Sequence, residues 1–131
     1  MFRNFNQLSR NLKSKFFFNH NISNSTWFRT GGSVDLFCIV FDEHELEIIL
    51  NDLNKETPIF IIGSGSNVLI RDGGFRGVII KLGKSFNALD VNENLIIAGA
   101  SILDSNLSKY AYHNSLQGLE FFSGIPGSVG G

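Results

Sequence analysis

The hydrophobic pattern changes period twice within the first half of the chain. Residues 33–41 are almost wholly apolar apart from Asp35, with Val34, Leu36, Phe37, Cys38, Ile39 and Val40 in succession. Such a run suits a strand covered on both faces, and therefore a central strand. Leu46, Ile49, Leu50 and Leu53 then repeat at i, i+3, i+4 and i+7 behind Asp42, an N-cap with Glu45 as its capping-box partner. The spacing predicts a helix over about 43–54. Pro58 and the run Ile59–Ile62 give a second buried strand, and strand, helix, strand at this length is a parallel βαβ unit.

Beyond this unit the apolar runs are shorter and turn residues more frequent. Gly63-Ser64-Gly65-Ser66-Asn67 leads into Val68-Leu69-Ile70, the turn-rich Arg71-Asp72-Gly73-Gly74 and a strand over 78–82. Two further strands, near 86–91 and 95–98, flank a hairpin turn at Asn92-Glu93-Asn94. A mainly antiparallel second half follows. Ser101 and Asp104 can cap a helix whose Leu103, Leu107 and Tyr110 share one face and which ends near Asn114. Residues 118–131 form a Gly-rich loop. At the other end, residues 1–26 are rich in Asn and Ser, and Phe2, Phe5, Leu8 and Leu12 predict a short helix with a loose continuation. The fold class is α+β, one βαβ layer followed by a small sheet.

Composition narrows the function. With 43% hydrophobic and 18% charged residues among 131, the chain has the make-up of one globular domain. Its formal net charge of -1 provides no long-range positive field, so neither nucleic acid nor a membrane surface is implied as a partner. Arg3, Arg10, Lys13 and Lys15 precede only Phe16-Phe17-Phe18 before Asn19 and His20, far short of the roughly 7 apolar residues at the core of a secretory signal. A cytoplasmic location is the expectation. The single Cys38 cannot form an intramolecular disulfide and reads as a small apolar residue. His20, His44 and His113 are far apart in sequence, and a solvated role is commoner for them than a metal site.

The glycine loops carry the candidate chemistry. Glycine lets backbone N–H groups converge and approach a phosphate with no Cβ in the way. Residues 63–67 have that form, but Val68 stands where a dinucleotide-binding fingerprint needs a third glycine, and no helix follows. Gly83-Lys84-Ser85 resembles the end of a P-loop, yet five strand-like residues separate Gly77 from Gly83 where four are required. Taken alone, 63–67 reads equally well as a plain turn. The second loop, Ser123-Gly124-Ile125-Pro126-Gly127-Ser128-Val129-Gly130-Gly131, shifts the balance, since two such loops converging on one anion account for both. Arg29 could hold a phosphate in fork geometry, although a surface ion pair is the commoner role.

Three motifs in order, Ser25-Thr26-Trp27-Phe28-Arg29-Thr30-Gly31-Gly32, then Gly63-Ser64-Gly65-Ser66-Asn67-Val68-Leu69-Ile70 with Asp72-Gly73-Gly74-Phe75-Arg76-Gly77-Val78-Ile79-Ile80, then Gly118-Leu119-Glu120-Phe121-Phe122 with the loop from Ser123 to Gly131, closely resemble the UDP-N-acetylenolpyruvoylglucosamine reductases, the MurB family. The resemblance runs from about residue 22 to the last residue. It implies a vanillyl-alcohol-oxidase-type FAD-binding domain, a small βαβ subdomain packed on a mainly antiparallel one. Residues 1–24 would be an N-terminal extension and 25–131 the FAD-binding domain, incomplete at its C-terminus. It implies a flavoenzyme of peptidoglycan precursor synthesis, which takes hydride from NADPH onto FAD and passes it to the enolpyruvyl group of a UDP-sugar. FAD-binding residues implied are Arg29, Thr30, Gly31, Gly63, Ser64, Gly65, Ser66, Asn67, Gly124, Ile125, Pro126, Gly127 and Ser128. Some relatives in the wider superfamily hold flavin covalently through a histidine in the loop matching 63–67. Serines stand there in this sequence, so non-covalent FAD is expected.

Family members continue past the third motif with the rest of the flavin domain and a substrate domain. These carry an Arg, a Ser and a Glu that act on the enolpyruvyl group, and no residue here corresponds to them. The chain is therefore expected to be the N-terminal portion of a reductase, partnered by a C-terminal portion, and inactive alone. The alternative is a non-catalytic nucleotide-binding remnant.

Overall fold

The computed structural model describes residues 5–131, and Phe2, on the helical face inferred for the N-terminus, lies outside them. α1 (Phe5–Leu8) is a single short turn of helix. The loose continuation inferred after it is instead a strand, β1 (Lys15–Asn21), which pairs antiparallel with β2 (Ser33–Val40). β1 is mostly exposed, so the Phe16-Phe17-Phe18 run supplied neither clean alternation nor a buried stretch to mark it. Its partner β2 is the central apolar strand expected from the sequence.

After β2 comes α2 (Glu43–Asp52), capped by Asp42, whose Oδ1 accepts from the Glu45 N–H at 2.8 Å. The capping box is only half formed. Glu45 turns away from the Asp42 amide and accepts from the N–H groups of Lys13 and Ser14 at 2.9 and 2.8 Å and from the Ser14 hydroxyl. A buried carboxylate with that many donors fixes the turn before β1 to the first turn of α2. The buried face of the helix is accordingly centred on Glu45 and Ile49, with Leu53 just beyond, and Leu50 is exposed.

β3 (Ile59–Ile62) and β4 (Phe75–Leu82) complete a sheet of order β1-β2-β4-β3 in which β2, β4 and β3 run parallel. The β2–α2–β3 unit expected from the sequence is present, but β4 lies between its two strands. That insertion makes β3 the edge strand, so Ile59, Phe60 and Ile61 are exposed where a buried strand was expected. Only Ile62 reaches the core.

One hydrophobic cluster lies on each face of the sheet. Leu36, Cys38, Val40, Val78 and Ile80 meet α1 and α2 through Phe5, Ile49 and Leu53. Val34, Phe37, Ile62 and Ile79 meet Ile22 and the 68–75 loop on the other face. Between Val34 and Leu36 the register with β4 slips by one residue, and the β2 side chains change face there.

In the second half of the chain the antiparallel strands, among the described residues, are the hairpin β5 (Leu89–Asn92) and β6 (Leu95–Ala98), while β4 joins the parallel strands β2 and β3. Its two-residue turn has Glu93 in the left-handed region at φ 53°. α3 (Asp104–His113) follows, with Leu103 at the N-cap and no side-chain cap. Ser101, expected to cap it, donates its hydroxyl to the Gly83 carbonyl at 3.0 Å. The buried face of α3 is Asp104, Leu107, Ser108 and Ala111, while Leu103 is exposed.

Candidate functional site

The three motifs meet at one end of the sheet. Residues 63–67 leave β3 at its C-terminal end, where the crevice beyond parallel strands is the usual ligand position of such sheets. The first motif packs behind this loop. The Trp27 N–H donates to the Gly65 carbonyl at 3.0 Å, and Gly65 itself sits at φ 74° against the Ser25 carbonyl, where a Cβ has no room.

The third motif packs on the other side. Residues 127–130 run antiparallel to 100–104: the Asp104 N–H donates to Gly127 at 3.2 Å, Val129 to Ile102 at 2.9 Å and Gly130 to Ala100 at 2.9 Å. This pairing seats Ser128 and Gly131 directly on Gly63. A methyl on Gly63 would fall 2.5 Å from the Ser128 hydroxyl oxygen and 2.9 Å from the Gly131 Cα, so the two loops touch because position 63 has no side chain.

A cavity of about 230 Å³ opens between these loops and the sheet, walled by Gly63, Ser64, Ala100, Ser101, Ser128 and Gly130. Ser128 is buried, and its hydroxyl has no hydrogen-bond partner among the described residues. An unpartnered buried hydroxyl is rare because the lost hydration is uncompensated. Together with the glycine backbone around it, it provides donor capacity on a small concave surface, which suits the phosphate and sugar oxygens of a nucleotide cofactor.

Of the residues inferred from sequence, Gly63, Ser64 and Ser128 line this cavity, while Gly65, Ser66 and Asn67 continue the same loop, with Ser64 Oγ donating to Ser66 Oγ at 3.1 Å. Gly127 stands behind Ser128, against the Asp104 carboxylate, while Gly124, Ile125 and Pro126 are exposed on the approach to it. Arg29, Thr30 and Gly31 do not line the cavity. Arg29 is exposed at φ 51° and forms no ion pair with a described residue, the Thr30 carbonyl accepts from the Thr26 hydroxyl at 3.2 Å, and Gly31 packs on Ile22 and Ile70. Lys81, Ala100, Ser101 and Gly130 also line the cavity without having been singled out. The histidines are apart: His20 stacks on Phe37 with ring centres 5.2 Å apart, and His44 and His113 are exposed on their helices.

A family model described as an FAD binding domain matches residues 34–131. The chain belongs to this FAD-binding domain family.

The FAD-binding domain is also similar over 120 residues to UDP-N-acetylenolpyruvoylglucosamine reductases of Rickettsia typhi, at 44% identity, and Rickettsia prowazekii, at 41%. Each alignment covers 92% of this chain and 41% of the relative. The crystal structure of UDP-N-acetylenolpyruvylglucosamine reductase (MurB) from Thermus caldophilus superposes with a TM-score of 0.71 at 28% identity, again over 92% of this chain and 41% of that one. The resemblance read from the three motifs and the α+β fold class it implied are thus borne out. The FAD-binding domain described here spans 41% of the length of these relatives. No helix among the described residues is long and apolar enough to cross a membrane.

Proposed function

We propose that the chain is the FAD-binding portion of an NADPH-dependent UDP-N-acetylenolpyruvoylglucosamine reductase, which forms UDP-N-acetylmuramate for the peptidoglycan of a growing and dividing cell. The observation that carries this reading is the contact of the two glycine loops at Gly63 and Ser128, which closes a donor-lined cavity at the C-terminal end of a parallel sheet. Residues 63–67 and 124–128 hold the FAD pyrophosphate through backbone N–H groups and the Ser64 and Ser128 hydroxyls. The segment Ser25-Thr26-Trp27 braces the first of these loops from behind, the Trp27 N–H donating to the Gly65 carbonyl. The cofactor supplies hydride transfer when bound.

This chain's own residues bind and orient that cofactor and shield its phosphates from water. The enolpyruvyl acceptor, the proton donor and the NADPH donor belong to the complete enzyme, whose place is the cytoplasm, and this portion alone does not turn over. With serines in the 63–67 loop and no nucleophilic histidine there, the FAD is held non-covalently.

The test uses Trp27, the only tryptophan, 65% exposed and hydrogen-bonded to the flavin loop. FAD added to the chain should quench Trp27 fluorescence saturably, and acid precipitation should release free yellow flavin. Unquenched Trp27 in the folded protein, or flavin retained in the pellet, would count against this reading.

A further inference from the structure

Lys81 occupies a position where the sheet calls for an apolar side chain. Along β4, Val78 and Ile80 point into the cluster beneath α2 and Ile79 into the opposite one, so alternation places Lys81 on the face of Ile79. Its ladder partners are Ile39 on β2 and Ile62 on β3, both packed on that face. The side chain is half-buried and makes no ion pair with any acid among the described residues, where the one salt bridge is Arg76 to Asp35. Whatever hydration the ammonium loses at this half-buried position is returned by no acid among the described residues.

The surroundings indicate what returns it. Among the described residues, Lys81 is the only charged one lining the cavity closed by Gly63, Ser64 and Ser128, and the buried Ser128 hydroxyl has no partner among them. Lys81 and Ser128 line the same space, one with no acid to pair with and the other with an unpartnered hydroxyl among the described residues. Arg29, the cation that the sequence offered for this role, does not line it.

We infer that Lys81 is a phosphate-binding residue of the cofactor cavity, supplying the positive charge that pairs with the pyrophosphate of FAD. This rests on the FAD reading above and adds to it a residue and a charge that the glycine loops do not contain. Backbone N–H groups would shape the site, and Lys81 would make it selective for phosphate-bearing flavins over riboflavin. Its aliphatic stem covers Ile39 and Ile62 while the ammonium reaches the cavity.

FAD titrations of the full 131-residue chain, read through Trp27 quenching, test this in low and high salt. Lys81→Gln should raise the FAD Kd about tenfold or more, the loss expected for a charge-assisted bond, and Lys81→Arg should restore most of it. Salt should weaken FAD binding to the parent chain more than to Lys81→Gln, and riboflavin should bind both alike. Lys81→Gln that folds by circular dichroism and binds FAD within about twofold of the parent overturns the inference and leaves the FAD reading intact. A folded parent that binds no FAD overturns both. If Lys81→Gln does not fold, the parent decides: FAD affinity unchanged by salt overturns the inference, and a steep loss supports it.

Discussion

The Ser14 hydroxyl donates to the Glu45 carboxylate and accepts from the Phe41 N–H at 2.9 Å, so one side chain ties the turn before β1 to the end of β2 and the start of α2. Burial alone would raise the Glu45 pKa. Hydrogen bonds from the Ser14 hydroxyl and the Lys13 and Ser14 amides, with the charge of Lys13, outweigh burial and hold the carboxyl below its ordinary value of 4.5.

Stability should follow that carboxylate in acid. Because the folded pKa is lowered, the contribution is fully present above about 4.5 and is lost as pH falls through the folded value. Glu45→Gln keeps one acceptor and leaves at least one buried donor unpartnered, at a cost of about 1–3 kcal/mol at neutral pH. Chemical denaturation at pH 7 and at descending acid pH should show the gap between parent and Glu45→Gln shrinking in acid. A gap that stays constant would show that the ionised carboxylate is not what the fold uses.

The same residue shows how much of the fold was legible in advance. Asp42 and Glu45 announced the start of α2, and the cap from Asp42 is there, but Glu45 is drawn off by donors more than thirty residues away that no local pattern contains. β2 and α2 were plain because each is set by a strong local period. β1 was not, because its exposed Phe16-Phe17-Phe18 run has no alternation, and the edge position of β3 was not, because it depends on which strand β4 joins. In the site, the glycines of 63–67 and Ser128 were readable as backbone meant for close approach, and their meeting was not, because it depends on residues 127–130 pairing with 100–104. Lys81 was hidden for a related reason. A lysine near the end of a strand reads as solvated until the sheet order places it between Ile39 and Ile62.

Arg76 and Asp35 give a contrast to Glu45. Their 2.8 Å ion pair joins β4 to β2 at the surface, but the Arg76 side chain is 70% exposed. Water and salt screen such a pair, and Arg76→Ala should change stability by about 1 kcal/mol or less. Thermal unfolding at low and high salt measures this directly, and a loss as large as that of Glu45→Gln would contradict the exposed geometry.

Cys38 lies mid-strand in β2 with no solvent exposure. Burial, reinforced by the negative charge of Glu45, pushes its thiol up to about 12, so neither access nor thiolate is available near neutral pH. Ellman's reagent should leave the folded protein unmodified and titrate one thiol once denaturant is added. Rapid labelling of the native chain would mean that β2 opens or that the α2 face is not packed as described.

The contact between Gly63 and the third motif leaves no room for one further carbon atom. Gly63→Ala places a methyl against the Ser128 hydroxyl and the Gly131 Cα, and although the hydroxyl can rotate away, the backbone at 131 cannot yield without shifting residues 127–130 from their pairing with 100–104. Overpacking of this kind costs about 1–3 kcal/mol. Here it also displaces one wall of the cavity, so FAD affinity should fall by about tenfold or more. Gly73→Ala is the control, because a methyl at that position meets nothing within 4 Å and the loop it belongs to lies away from the cavity. Calorimetric titration of FAD into both variants should separate them. Equal affinities would mean that the two glycine loops touch without jointly forming the binding surface, and the cofactor would have to be held by one of them alone.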